Sequence, residues 1–382
     1  MGDEEDVNQT SSLGWIYVVV SDTRSSGPRQ PVPNWLPGSA IAVYGSLLTV
    51  VGVLLNAIVL GSSLTSGKQS TVPAIRRLLA ANLAVVHLAA AVFVVPAGVV
   101  TEAVGSWSFG GHACRAWLLM QVLLIASAMW SVVGLDIDCV TRLTAPRRAY
   151  AVLAQRHPRT VALVIIISSW VVAGLAALPI GLAVGTRQAG ADSDNGPVLE
   201  DVCAVNLNRG EVIAQSLTAY LLPGLLVLTG SVTIMAMKAF KMIAVDRYDR
   251  WECSGPMAVA GVGAACVLLW SPFFVLYILL PFCGDGLCID PATWTLSSWI
   301  GHSTIVVSPA AWFIDPAVRS DVRHLAHLIR RQLSRCFIGC CGFRGNVVDE
   351  SSGLMSVTKY QIPRPGEQHP DSADTGVSKS PA

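Results

Sequence analysis

Residues 114–143 read CRAWLLMQVLLIASAMWSVVGLDIDCVTRL, and the reading of this stretch decides the fold. Between Arg115 and Asp136 no side chain is charged. A helix needs about 20 such residues to cross a ~30 Å hydrocarbon core. The bilayer offers no water to backbone amides, so a segment of this kind must be helical. Six more stretches are comparably long and apolar; with this one they cover about 39–63, 75–100, 114–140, 160–184, 212–237, 257–282 and 293–314. The composition agrees: 52% of the 382 residues are hydrophobic, 13% are charged, and the mean hydropathy is +0.54. A soluble domain rarely carries so little charge. The expected fold is all-α, a seven-transmembrane helix bundle.

Charge sets the orientation. With the N-terminus outside, 21 of the 26 lysines and arginines fall on the inner side, the arrangement that the positive-inside bias favours. The net charge of +1 hides this asymmetry and gives no reason to expect nucleic acid as a partner. The N-terminus, MGDEEDVNQT, has no apolar core, and no cleaved signal peptide is read. Asn8, in Asn-Gln-Thr, is an outer-side glycosylation acceptor on this topology. After the seventh span, apolar residues at 314, 318, 322, 325 and 329 stand among basic ones, the pattern of an amphipathic helix lying on the inner membrane face. The expected divisions are an outer tail 1–38, a membrane domain 39–314, the inner-face helix 315–335 and a disordered cytoplasmic tail 336–382. No repeat is visible, which weighs against an inverted-repeat transporter.

Cysteines sort by side. Cys114 and Cys203 face an oxidising compartment and can pair. Cys283 and Cys288 either close the last outer loop or remain two surface thiols. Cys336, Cys340 and Cys341 follow a basic inner segment, where reversible palmitoylation is plausible.

Motifs inside the spans narrow the class. GVLLNAIVL holds Asn56; NLAVVHLAAAVFVVP ends at Pro96; GSWSFGGHAC leads to Cys114; Trp170 and Pro179 mark span four, and Pro223 marks span five. LLWSPFF gives Trp270, Pro272, Phe273 and Phe274 in span six, and WIGHSTIVVSPAAW gives Pro309 in span seven. In this order the chain resembles a rhodopsin-like (class A) G-protein-coupled receptor over nearly all of residues 36–335. Within that class VVPAGVVTEAVGSWSFGGHAC, the Phe273-Phe274 pair and Trp299-Ile300-Gly301 look most like the biogenic-amine branch, with muscarinic and histamine features. The resemblance implies a ligand site near Gln121, Trp270, Phe273, Phe274 and His302. Prolines in spans five to seven remove backbone hydrogen bonds and leave hinges, and Trp270 beside Pro272 is placed to couple an outer cavity to the inner half.

The departures are concentrated along one path. The amine-holding aspartate of that branch, seven residues after the cysteine, is here Gln121, whose neutral amide cannot offset desolvation of an ammonium. Gln121 and His302 are either ligand contacts or satisfied core polar groups. His87, Ala128 and Ser308 replace three residues that help enclose a sodium ion in the family, and an imidazole with a methyl group suits sodium poorly, so no sodium modulation is expected. Asp138 is kept, but Cys139 and Val140 follow it where the family has Arg-Tyr. Glu252 stands where some members place that arginine's partner, Ser231 replaces the span-five tyrosine, and Trp312 replaces the span-seven tyrosine. A lock between residues 139 and 252 cannot be an ion pair.

The expected function is therefore a plasma-membrane receptor, binding an extracellular small molecule or peptide and acting through heterotrimeric G proteins. The alternative is a non-signalling decoy, scavenger or heteromer partner; a transporter or channel ranks third. No lysine in span seven is available for a retinal Schiff base. No nucleophile–base arrangement, metal-ligand spacing or phosphate-binding glycine loop is present, so neither an enzyme nor a cofactor is expected.

Overall fold

The computed structural model describes residues 17–20, 38–65, 70, 72–105, 107–144, 149–182, 203–239, 254–282 and 289–340. Asn8, Cys283, Cys288, Glu252 and Cys341 lie outside the described residues, as do the side chains of Cys336 and Cys340. Residues 1–333 form one unit; of the second, only the helical residues 334–340 are described.

Twelve helices follow in chain order among the described residues: α1 (Gly38–Thr65), α2 (Ala74–Ala89), α3 (Val95–Val104), α4 (Gly110–Thr144), α5 (Ala149–Arg156), α6 (Pro158–Leu182), α7 (Arg209–Ser216), α8 (Leu222–Ala239), α9 (Ser254–Leu279), α10 (Pro291–His302), α11 (Thr304–Trp312) and α12 (Pro316–Cys340). A wide π turn at Ala90–Val94 joins α2 to α3 in one span, and another at Leu217–Leu221 joins α7 to α8. Each lies just before a proline, Pro96 or Pro223. An extra residue in the turn lets the helix continue past a ring that lacks an N–H and crowds the preceding carbonyl.

Six of these units are long and apolar enough to cross a bilayer as continuous helices: Gly38–Thr65, Ala74–Val104, Gly110–Thr144, Pro158–Gly181, Arg209–Ala239 and Gly255–Leu279. The seventh apolar stretch is divided into α10 and α11 by a turn at Ser303, where Ser303, Val306 and Val307 bond in a tightened pattern. The molecule is a seven-helix membrane bundle with α12 following the last span. α12 starts at Pro316 and runs to Cys340, and Asp315 Oδ1 accepts from the Ala317 N–H (2.9 Å) at its first turn.

The third span, α4, is the hub. In its most apolar window 72% of residues are buried, against 28% in α1, and it packs on α2, α6, α8 and α9. Large apolar side chains such as Leu47, Leu54, Leu163, Leu175, Leu225 and Leu268 point outward, a surface suited to lipid rather than water. Polar groups tie the spans together. Asn82 Nδ2 donates to Ser131 Oγ (2.9 Å) and Trp170 Nε1 donates to Asn82 Oδ1 (3.0 Å), linking spans two, three and four. Asn56 Nδ2 donates to the carbonyls of Gly52 and Ile305, both at 2.8 Å, and so joins span one to the seventh span just after its break.

Outside the bundle, Tyr17–Val20 (β1) pairs in parallel with Ala204–Leu207 (β2). The strand inside the N-terminal tail carries no sequence signal apart from its β-branched run. Its partner follows Cys203, whose disulfide to Cys114 (Cα–Cα 5.4 Å) pins the loop to the outer end of α4.

Candidate functional site

Two small cavities open between spans two, three and seven, each with about 30 Å³ of internal space, room for one or two water molecules. The inner one is walled by His87, Gln121, Ala128, Trp270, His302 and Ile305, among others. The outer one is walled by Glu102, Trp117, Trp294, Trp299 and His302. Val94 and His302 belong to both, so the two adjoin.

The structure thus brings Gln121, Trp270 and His302 onto one wall, together with His87 and Ala128. Gln121 is buried and its Oε1 has no protein hydrogen-bond partner, so the amide presents an unused acceptor. His302 Nδ1 lies 2.8 Å from the Ser298 carbonyl oxygen. A carbonyl only accepts, so Nδ1 carries the proton and a neutral ring keeps Nε2 as an acceptor. Phe273 and Phe274 are not on either wall. They stand behind Trp270, at 5.7 and 6.2 Å between ring centroids, in an aromatic cluster with Tyr220, Tyr277 and Trp294. Tyr277 Oη donates to Gln215 Oε1 and Tyr220 Oη to the Val267 carbonyl, which fixes that cluster to spans five and six.

Trp270 lies flat against the bare backbone of Gly301, since a Cβ built there would sit 2.6 Å from Cζ3 of the indole. The His302 ring meets it edge-on at 5.2 Å. Any group that parts this wall therefore presses on the span-six tryptophan beside Pro272.

Glu102 escaped the sequence reading. It lines the outer cavity beside three tryptophans and accepts from Trp299 Nε1 at 3.3 Å. Its signal was available, as a lone acid at the outer end of an apolar span.

The altered sodium position offers an imidazole and a methyl on the cavity wall, while Ser308 is buried elsewhere with an unpartnered Oγ. Among the described residues no group of His, Cys, Asp and Glu is arranged to hold a metal. That donor set does not fit sodium.

At the inner end, Asp138 accepts from Arg142 Nε (2.9 Å), one turn along α4, and from Tyr150 Oη (3.1 Å) on α5. Burial and then the Asp138 charge push the Tyr150 phenol up from its ordinary value, so it stays a donor. Cys139 is a buried free thiol and Trp312 is almost wholly buried. The sequence also gave no hint that Asp136 is buried with both carboxylate oxygens unpartnered, facing Gly230 of span five at a spacing that leaves no room for a Cβ. Ser231 Oγ, beside that glycine, is likewise buried without a partner.

A family model described as 7 transmembrane receptor (rhodopsin family) matches residues 55–312, and the chain belongs to that family. It is therefore a multi-pass plasma-membrane receptor, and its family is one of receptors, not enzymes. The D(1) dopamine receptor of Carassius auratus is 26% identical over 271 residues, covering 60% of this chain and 72% of that receptor. The histamine H2 receptor of Cavia porcellus is 22% identical over 339 residues, covering 87% and 89%, and the human histamine H2 receptor is 21% identical over 296 residues, covering 76% and 78%. The biogenic-amine flavour of the outer-loop and span-seven motifs agrees with these relatives.

Proposed function

We propose that this chain is a cell-surface receptor for an extracellular small molecule or peptide, with its N-terminus outside, and that it signals through heterotrimeric G proteins. One observation carries the reading: the inner of the two cavities between spans two, three and seven shares a wall with Trp270. Ligand pockets enclose about 300–1,000 Å³, so a ligand must part the Gln121, Trp270 and His302 wall to enter. That coupling favours one position of span six by the ligand's differential affinity for the two positions. The names of the relatives point to dopamine and histamine, but Gln121 gives the third span no charge for an ammonium; Glu102, on span two, is the acid that lines the cavity.

The inner face is built to be read by a G protein through spans three, five and six, with Asp138 held by Arg142 and Tyr150 in place of a following arginine. On the same reading Asn8 is glycosylated, Cys283 and Cys288 are joined in the last outer loop, and Cys336, Cys340 and Cys341 anchor the tail by palmitoylation.

The test measures nucleotide exchange on purified G proteins of each family by membranes carrying wild type or Cys139→Arg. Wild-type exchange above mock membranes, altered by Glu102→Gln or by any ligand, supports a signalling receptor. Exchange that appears only in Cys139→Arg would instead identify a binder whose output has been lost.

A further inference from the structure

Cys139 leaves α4 without the guanidinium that the family places directly after Asp138, but a second arginine, from α2, is packed elsewhere at the inner end of the bundle. Arg76, in the first turn of α2, stands at the inner end of the bundle beside Asp315. Its Nη1 lies 3.6 Å from Asp315 Oδ2, and the two side chains are 11% and 1% exposed. Two charges so withdrawn from water are costly unless their remaining groups are also met.

Span six packs against them. A Cβ built on Gly255, the second residue of α9, would overlap Arg76, falling 2.7 Å from Cζ, and would lie 3.0 Å from Asp315 Oδ2. The guanidinium is therefore packed against bare span-six backbone. The Asp315 carboxylate sits between two helix starts: Oδ1 accepts the Ala317 N–H of α12, and Oδ2 lies beside the first turn of α9. Helix N-termini carry partial positive charge and free N–H groups, so a carboxylate there is favoured from both sides, with Arg76 as the third positive neighbour.

We propose that Arg76, Asp315 and Gly255 form a clasp that holds the inner end of span six against spans two and seven, and that span six swings out only when this contact parts. The clasp sets the resting balance of the receptor described above, on which it rests for its meaning. Glycine is needed at 255 because any side chain would displace the guanidinium from Asp315.

The test uses the full-length receptor in lipid nanodiscs and two readouts. Hydrogen–deuterium exchange over residues 254–262 reports span-six opening without a G protein, and basal nucleotide exchange on purified G protein reports output. Asp315→Asn, which keeps an acceptor for Ala317, Arg76→Gln and Gly255→Ala should each speed exchange over 254–262 by roughly fivefold, leaving the inner halves of α4 and α6 unchanged. Should one variant fail to fold, the other two decide. Folded variants with wild-type exchange over 254–262 would overturn the clasp and leave the receptor reading untouched. Loosened variants support the clasp, and if they nonetheless drive no G protein, it is the signalling reading that fails. A loss of protection spread evenly over all spans would mark the pair as general structural support, and would also overturn the proposal.

Discussion

At the scale of single residues, the close approach of Gly301 to Trp270 makes the sharpest prediction. Adding one methyl at 301 forces the indole away from the span-seven backbone. Gly301→Ala is expected to change basal G-protein turnover in the assay above by severalfold while surface expression stays near wild type; unchanged turnover would show that Trp270 moves independently of span seven. Asn82 makes a second case. Its amide bridges Trp170 and Ser131, and Asn82→Ala leaves the Trp170 indole N–H without this acceptor. Interhelical hydrogen bonds in membranes are worth about 1 kcal/mol each, so a loss of ~1–2 kcal/mol is expected. A thermal-unfolding series in detergent would read this as a Tm several degrees below wild type.

Elements show a different kind of legibility. Span four, the prolines and Asn56 could be placed from sequence because length, hydropathy and helix-breaking chemistry are local properties. The π turns at Ala90–Val94 and Leu217–Leu221 could not, although their prolines were noticed, because whether a helix kinks or widens before proline depends on what packs beside it. The break at Ser303 is similar. Nothing in His302, Ser303 and Thr304 signals a helix break, and the turn is held by contacts that span one supplies through Tyr44 on Ser303 and Asn56 on Ile305. At this scale the outer loop gives a prediction as well. Cys203 ties β2 to the top of α4, so Cys203→Ser should release the β2 strand from that end of the bundle. The expected result is faster hydrogen exchange over 203–208 and weaker ligand response, with exchange over the inner halves of the spans unaltered.

For the whole molecule, seven apolar runs and a one-sided distribution of basic residues determined the architecture, because a bilayer permits a continuous backbone few other forms. The sequence also showed that the parts between pocket and inner face, His87, Ala128, Cys139, Ser231, Ser308 and Trp312, depart together from the family pattern. It could not show what took their places. Glu102 reaches the cavity from span two, Asp138 turns to Arg142 and Tyr150, and Arg76 meets Asp315 from 239 positions away in the chain. Hydropathy is summed along the chain and so is legible in order. A cavity wall or a buried ion pair is made by residues from different helices, whose rotations and depths are fixed only when the bundle packs, and tertiary structure alone decided those.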